Sequence, residues 1–219
     1  MLNQQIISSQ IEPLNYSHTV KDALFQMSDL NYQQLPVVKD GLYEGLLSED
    51  DLMDADGKES LLNFQLDLLP YAVKGTDHFL TAAKLTSELR LQLIPVITVE
   101  KEYLGFISEQ DLLKQLSQFN GVQEKGALMV LGMNREDYST GQLAKLVETN
   151  DAVITQLNTV FDEVTGKLIV TLRINKEEIS DILSTFQRYD YDVIFHAGQE
   201  QYENELRRNY FHLMNFLEM

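Results

Sequence analysis

Two stretches of the chain decide its architecture. The first reads LPVVKDGLYEGLLSEDDL, residues 35–52, and the second reads IPVITVEKEYLGFISEQDLL, residues 94–113. Pro36 and Pro95 lie 59 positions apart, and Gly45/Gly105, Ser48/Ser108 and Asp51/Asp111 lie 60 apart. One residue has therefore been added between proline and glycine in the second copy, where a hairpin turn is expected. Self-similarity at a fixed period marks a duplicated structural unit.

Working outward, the register continues upstream. HTVKDALFQM, residues 18–27, aligns with DHFLTAAKLT, residues 77–86, and Ala23 falls on Ala82. Val20, Ala23, Leu24 and Met27 follow the i, i+3, i+4, i+7 spacing of a helix with one buried face, and Phe79, Ala82, Ala83 and Thr86 repeat it. Short β-branched runs follow at residues 36–38 and 95–99. Asp40-Gly41 supplies turn chemistry before a second strand over 43–47. Each copy is expected to close with a helix that opens at its serine, so the unit reads helix, strand, strand, helix, twice.

The duplicated pattern, hydrophobic-Pro-Val-hydrophobic and then Gly-hydrophobic-hydrophobic-Ser-x-x-Asp-Leu, resembles the CBS domain. These domains occur in tandem and pack as a pseudo-twofold pair. The resemblance covers residues 1–120, with repeats at 1–57 and 58–120. It implies two adenosine-nucleotide sites. One would use Gly45, Ser48 and Asp51, and the other Gly105, Ser108 and Asp111. The glycines would admit close approach of a ligand, the serines would meet phosphate and the aspartates ribose hydroxyls.

The same residues carry a simpler chemistry. Ser-x-x-Asp is a helix N-terminal capping pattern, in which the hydroxyl accepts from a free backbone N–H one turn in. A helix N-terminus is also a natural phosphate site. Many members of the resembled family carry a basic residue before the motif aspartate. Here Asp50 and Gln110 stand in its place, flanked by Glu49 and Glu109. Like charges in near contact cost on the order of 1 kcal/mol or more at an effective dielectric near 20. A triphosphate is therefore disfavoured at the first site unless a metal bridges, and the ligand expected is AMP-like. The second copy is the better site, with Arg90 expected on its rim.

The pattern changes after residue 121. Strands are expected over residues 126–133, 152–161, 167–174 and 191–196, and helices over 140–149 and 176–189. That βαββαβ order is the split-βαβ, ferredoxin-like arrangement. With the loop NREDYSTGQL, residues 134–143, it resembles the ACT domain, a regulatory small-molecule module, over residues 126–198. The resemblance implies a ligand-contacting loop glycine at Gly141. Ser139 or Thr140 as a helix cap explains the same residues without a ligand. The fold class is thus α+β: a tandem CBS pair followed by a ferredoxin-like ACT-like domain, a module order similar to acetoin-utilisation and CBS–ACT regulatory proteins.

Residues 199–219 read as a C-terminal helix. Tyr202, Leu206, Tyr210, Leu213 and Leu217 form an apolar stripe that either packs on its own chain or makes a dimer contact.

Composition narrows function by exclusion. The 219 residues carry 17 basic and 34 acidic side chains, a formal charge of −17. That balance opposes nucleic-acid binding and docking on anionic membranes. The absence of cysteine removes thiolate catalysis and cysteine-based metal sites. His18, His78, His196 and His212 show no metal-ligand spacing, and no nucleophile–base pattern stands out. Asp54 and Asp56 before Gly57 carry only part of a calcium loop and read as a solvated linker. The expectation is a cytoplasmic, non-enzymatic regulatory protein. It would sense a small molecule at the CBS pair and form a homodimer, and it would hold no metal. The alternative is a ligand-free interaction or oligomerisation module in which the motifs are helix caps.

Overall fold

The computed structural model describes residues 1–8 and 11–198. It forms two compact units, Met1–Phe119 and Asn120–Met219. The expected helix over 199–219 lies outside the described residues.

In the first unit, helix α1 (Val20–Leu30) is followed by the antiparallel strands β1 (Gln34–Lys39) and β2 (Leu42–Ser48). Asp40 and Gly41, both at positive φ, make the turn between them, as a tight hairpin requires. The second copy repeats the order with a short strand β3 (Val73–Lys74), helix α2 (Phe79–Leu89), strands β4 (Leu93–Ile97) and β5 (Tyr103–Ser108), and helix α3 (Glu109–Phe119). The expected helix faces are the buried ones: Val20, Ala23 and Met27 on α1, Phe79, Ala82 and Thr86 on α2. Strands β1 and β4 are buried on consecutive residues rather than alternate ones, because both faces are covered.

The repeat extends to backbone detail. Both helices end on a left-handed residue, Asn31 at φ 57° and Arg90 at φ 54°. Beyond them the Tyr32 N–H donates to the Met27 carbonyl at 3.0 Å and the Leu91 N–H to the Thr86 carbonyl at 3.1 Å. This is the Schellman-type closure that a left-handed terminal residue permits. The two copies meet through reciprocal bonds: Tyr43 N–H to the Lys101 carbonyl and Tyr103 N–H to the Gly41 carbonyl, both 2.9 Å. The rings of Tyr43 and Tyr103 stack with centroids 6.4 Å apart.

The copies also exchange chain. Ser8 exchanges two backbone hydrogen bonds with Phe106 of β5, at 2.8 and 3.2 Å, so the N-terminal segment lies against the second repeat. Leu69, in the stretch between repeats, does the same with Leu46 of β2 at 2.8 and 2.9 Å. Asn3 is fully buried, donating from Nδ2 to the Lys74 carbonyl at 2.9 Å. These crossings, the 3-10 turn Leu61–Phe64 and strand β3 left no signature in the hydrophobic period.

One expectation fails in the first unit. No helix follows Ser48; residues 50–54 are turns. There the Ser48 hydroxyl accepts from Asp50 N–H at 3.3 Å, a short local turn instead of a cap one helical turn in. The residues that follow, Asp50-Asp51 and then Asp54, Asp56 and Gly57, have weak helix propensity, whereas the second copy continues Leu-Leu-Lys-Gln-Leu.

The second unit runs β6 (Ala127–Met133), α4 (Thr140–Glu148), β7 (Ile154–Asp162), β8 (Lys167–Ile174), α5 (Ser180–Arg188) and β9 (Asp192–Ala197). The strand order is β7-β8-β6-β9 with every pair antiparallel, the ferredoxin-like topology. Leu143, Leu146 and Val147 on α4 and Ile182, Leu183 and Phe186 on α5 pack with Met129, Leu131, Val170 and Leu172 of the sheet in one core. Helix α5 begins four residues later than expected, although Ile179 is buried just before it.

Glycine positions test the crossings. Gly105 has φ 137°, and a Cβ there would collide with Ile7 Cγ2 and meet the Ser8 carbonyl at 3.0 Å. Gly141 has open space and an ordinary helical backbone. We expect Gly105→Ala to cost roughly 2 kcal/mol or more. Gly141→Ala should be neutral or stabilising by up to about 1 kcal/mol. Urea unfolding midpoints measure both, and equal effects would contradict the crossing.

Candidate functional site

The two Ser-x-x-Asp motifs sit at the ends of β2 and β5, yet the structure treats them differently. At the second, Ser108 is 8% exposed and ends β5 just before α3. Its hydroxyl accepts from Asp111 N–H at 3.1 Å and donates to Asp111 Oδ2 at 2.6 Å, while Ser108 N–H donates to the same oxygen at 3.2 Å. The box is closed in both directions. At the first, Ser48 N–H donates to Asp51 Oδ2 at 3.2 Å, and Asp51 is exposed.

A cavity of about 330 Å³ opens beside the second motif and not from that motif alone. Ser8 and Ile11 of the N-terminal segment, Tyr32 after α1, and Phe106, Ser108 and Asp111 of the second copy line it. The site therefore spans both repeats. The Tyr32 and Phe106 rings form a T-shaped pair, with centroids 6.2 Å apart at 75°. Burial raises the Tyr32 phenol pKa and the neighbouring Asp111 carboxylate adds to this, while a hydrogen bond with Ser108 opposes it. Asp111 is the one charged lining group among the described residues. Such a wall suits a ligand with hydroxyls to donate to Asp111 and a flat apolar portion to lie against Ile11 and Phe106. It offers no cation to a polyphosphate.

The sequence-predicted residues divide accordingly. Ser108 and Asp111 line the cavity. Gly105 and Gly45 are buried, but each close approach is made by the chain itself: Ile7 and Ser8 over Gly105, Leu68 and Leu69 over Gly45. Arg90 is not on the cavity rim; it is the exposed left-handed residue that ends α2. Sequence reasoning missed Tyr32 and Ser8, because the residues that reach a site across a pseudo-twofold lie far from its motif. The signal that could have found Tyr32 is its aligned partner, Leu91: at this repeat position an apolar residue has been replaced by a phenol.

In the second unit a larger cavity, about 560 Å³, lies at the loop from β6 to α4. Glu136, Asp137, Asp190 and Asp192 line it against one cation, Lys167, which pairs with Asp192 at 2.9 Å. Tyr138, Tyr189 and Tyr191 complete the wall, and burial together with the Asp137 charge raises the Tyr191 phenol pKa. Gly141 is exposed in the first turn of α4, which Ser139 caps by accepting from Gln142 N–H at 3.3 Å. Gly141 does not line the cavity. The acidic wall repels a carboxylate ligand. No group of three or more potential metal-ligating side chains occurs among the described residues. None of their helices is long and apolar enough to cross a membrane.

Replacing the two serines separates a buried cap from an exposed turn. Ser108→Ala should cost about 1 kcal/mol, and Ser48→Ala should stay within about 0.5 kcal/mol of wild type. Denaturant midpoints at unchanged slope measure the difference.

Comparison with known proteins agrees with this architecture. The family model described as the CBS domain matches residues 4–58. An uncharacterised protein of Methanocaldococcus jannaschii is 21% identical over 111 residues, 50% of this chain and 42% of that protein, so the match spans less than half of the relative's length. A CBS domain pair/ACT domain protein from Thermotoga maritima is similar in structure at a TM-score of 0.50 and 24% identity, over 54% of this chain and 98% of that one. The CBS domains of a transcriptional regulator from Streptococcus pneumoniae give a TM-score of 0.46 at 14% identity, over 52% and 98% of the two chains. Residues 4–58 match the CBS domain model, and with its second copy the first unit has the fold of a tandem CBS pair, followed by a ferredoxin-like domain.

Proposed function

We propose that the protein is a non-enzymatic regulator that senses adenosine or its monophosphate at the cavity of the second repeat. The observation that carries this reading is the lining itself: Asp111 and Ser108 at one corner, Ile11 and Phe106 on the wall, and no basic side chain among the described residues. A carboxylate whose backbone and hydroxyl partners hold it in place is suited to accept from ribose hydroxyls. At the start of α3 the Glu109 N–H donates to the Gln92 carbonyl at 3.0 Å and the Asp111 N–H to Ser108 Oγ at 3.1 Å, so a single phosphate would be received at the Gln110 N–H, while a longer phosphate chain would meet Glu109 and Gln110 rather than a cation. Because Ser8 and Ile11 come from outside the second copy, a bound ligand tightens one repeat against the other. The ligand then favours one packing of the pair and so alters the surface presented to a second copy of the chain in a homodimer.

The second reading, a ligand-free interaction module, draws on the completed Ser108–Asp111 cap, which satisfies the motif with no ligand present.

Binding to the folded state alone raises stability by RT ln(1 + [L]/Kd). Adenosine and AMP at millimolar concentration are expected to raise the melting temperature, and ATP to raise it less. Asp111→Asn should weaken AMP binding at least tenfold by calorimetry, and Asp51→Asn should leave it unchanged. No shift with any of the three, or equal losses from the two variants, would remove the reading.

A further inference from the structure

Helices α1 and α2 end in the same backbone geometry, so the residue after each left-handed terminus is delivered to an equivalent place. After α2 that residue is Leu91, 1% exposed, an ordinary core side chain. After α1 it is Tyr32, only partly buried, which lines the cavity that opens on the other repeat's motif. The Schellman closure fixes the Tyr32 backbone but leaves its side chain free to choose among rotamers. In this structure the ring forms a T-shaped pair with Phe106, on the apolar wall, and the phenol is directed to the polar corner at Ser108 and Asp111. A flat group carrying a hydroxyl therefore already stands where the ligand of the preceding section would place its base and its ribose.

We infer that Tyr32 is a resident occupant of the second-repeat site, a side-chain latch that a ligand must displace and that sets which ligands are able to enter. The inference rests on the reading of that cavity as a nucleoside site. Its physical content is competition for the corner that Ser108 and Asp111 form. The phenol engages Ser108 and lies beside the Asp111 carboxylate, and an incoming hydroxyl needs the accepting capacity Asp111 has left beyond Ser108 N–H and Oγ. A ligand that brings two adjacent hydroxyls and a stacking surface replaces both contacts of the ring. A ligand with only one of these features replaces half and is excluded. The first repeat has no such device, since Leu91 carries no hydroxyl and Asp51 stands exposed in a turn.

The test is calorimetric titration of the full chain with adenosine. Tyr32→Leu installs the residue the other repeat uses, and Tyr32→Phe keeps the ring but removes the hydroxyl. Tyr32→Leu is expected to bind at least tenfold more tightly than wild type, Tyr32→Phe to fall between, and Tyr32→Leu combined with Asp111→Asn to lose the gain. Equal or weaker binding by Tyr32→Leu overturns the latch while leaving the nucleoside site standing, because Tyr32 would then be part of the binding wall. Binding by neither wild type nor Tyr32→Leu overturns both. The Tyr32 ring resonance gives a readout without a leucine variant: identified by its loss in Tyr32→Phe, it should move toward the position of an exposed tyrosine as adenosine is added. A resonance that stays in place while ligand binds also overturns the latch.

Discussion

The first unit depends on two places where the chain passes directly over a strand of the sheet: residues 7 and 8 over Gly105, and residues 68 and 69 over Gly45. Each crossing adds a pair of backbone hydrogen bonds to the outer strand of a sheet, at Phe106 and Leu46 respectively. Strand β2 or β5 would otherwise leave its outer backbone groups to solvent or to another chain. The crossing also commits the N-terminal segment to the second repeat, so neither copy is complete alone. Glycine is required because a Cβ would collide with Leu68 Cβ over Gly45 and with Ile7 Cγ2 over Gly105 and would crowd the Leu69 and Ser8 carbonyls behind them, and at Gly105 the φ of 137° adds a second reason.

The location of the site follows from those crossings. A motif at the end of β5 would face solvent if the N-terminal segment and the residue after α1 did not close over it. Their arrival creates a cavity with an apolar wall and one carboxylate. The matching motif at the end of β2 is followed by turns rather than a helix, and the repeat partner of Tyr32 is Leu91, a buried core side chain. The pseudo-symmetry is thus kept in the backbone and broken in the side chains, which is how a duplicated fold comes to hold two unlike sites. The charge of −17 acts in the same direction in both units: the acidic residues beside the motifs and the four carboxylates of the second unit's cavity disfavour polyanionic ligands at each.

Much of the architecture could be read from spacing. The repeat of 59 to 60 residues located both hairpins, and the helical period identified the buried faces of α1 and α2, with Leu24 and Ala83 half-buried at their margins. That works because burial on one helix face imposes a period that no other constraint erases. The crossings were not legible, because Ser8–Phe106 and Leu46–Leu69 are pairs of backbone groups that place no demand on side-chain type except at the glycine beneath. The helix after Ser48 was over-read because its capping pattern is present while the residues behind it favour turns. In the site, Ser108 and Asp111 were legible as a motif. Tyr32 was not, since the residue that completes a site across a twofold has no local spacing to betray it.

We propose that a ligand binds in the second repeat's cavity, shared between the two copies. A crystal structure of the chain grown with adenosine is the decisive measurement. The ribose is expected against Asp111 and Ser108, the base against Ile11 and Phe106, and Tyr32 turned out of the cavity. A ligand bound instead at Ser48 and Asp51, or lying in the second unit with Tyr32 still seated on Ser108, would contradict it.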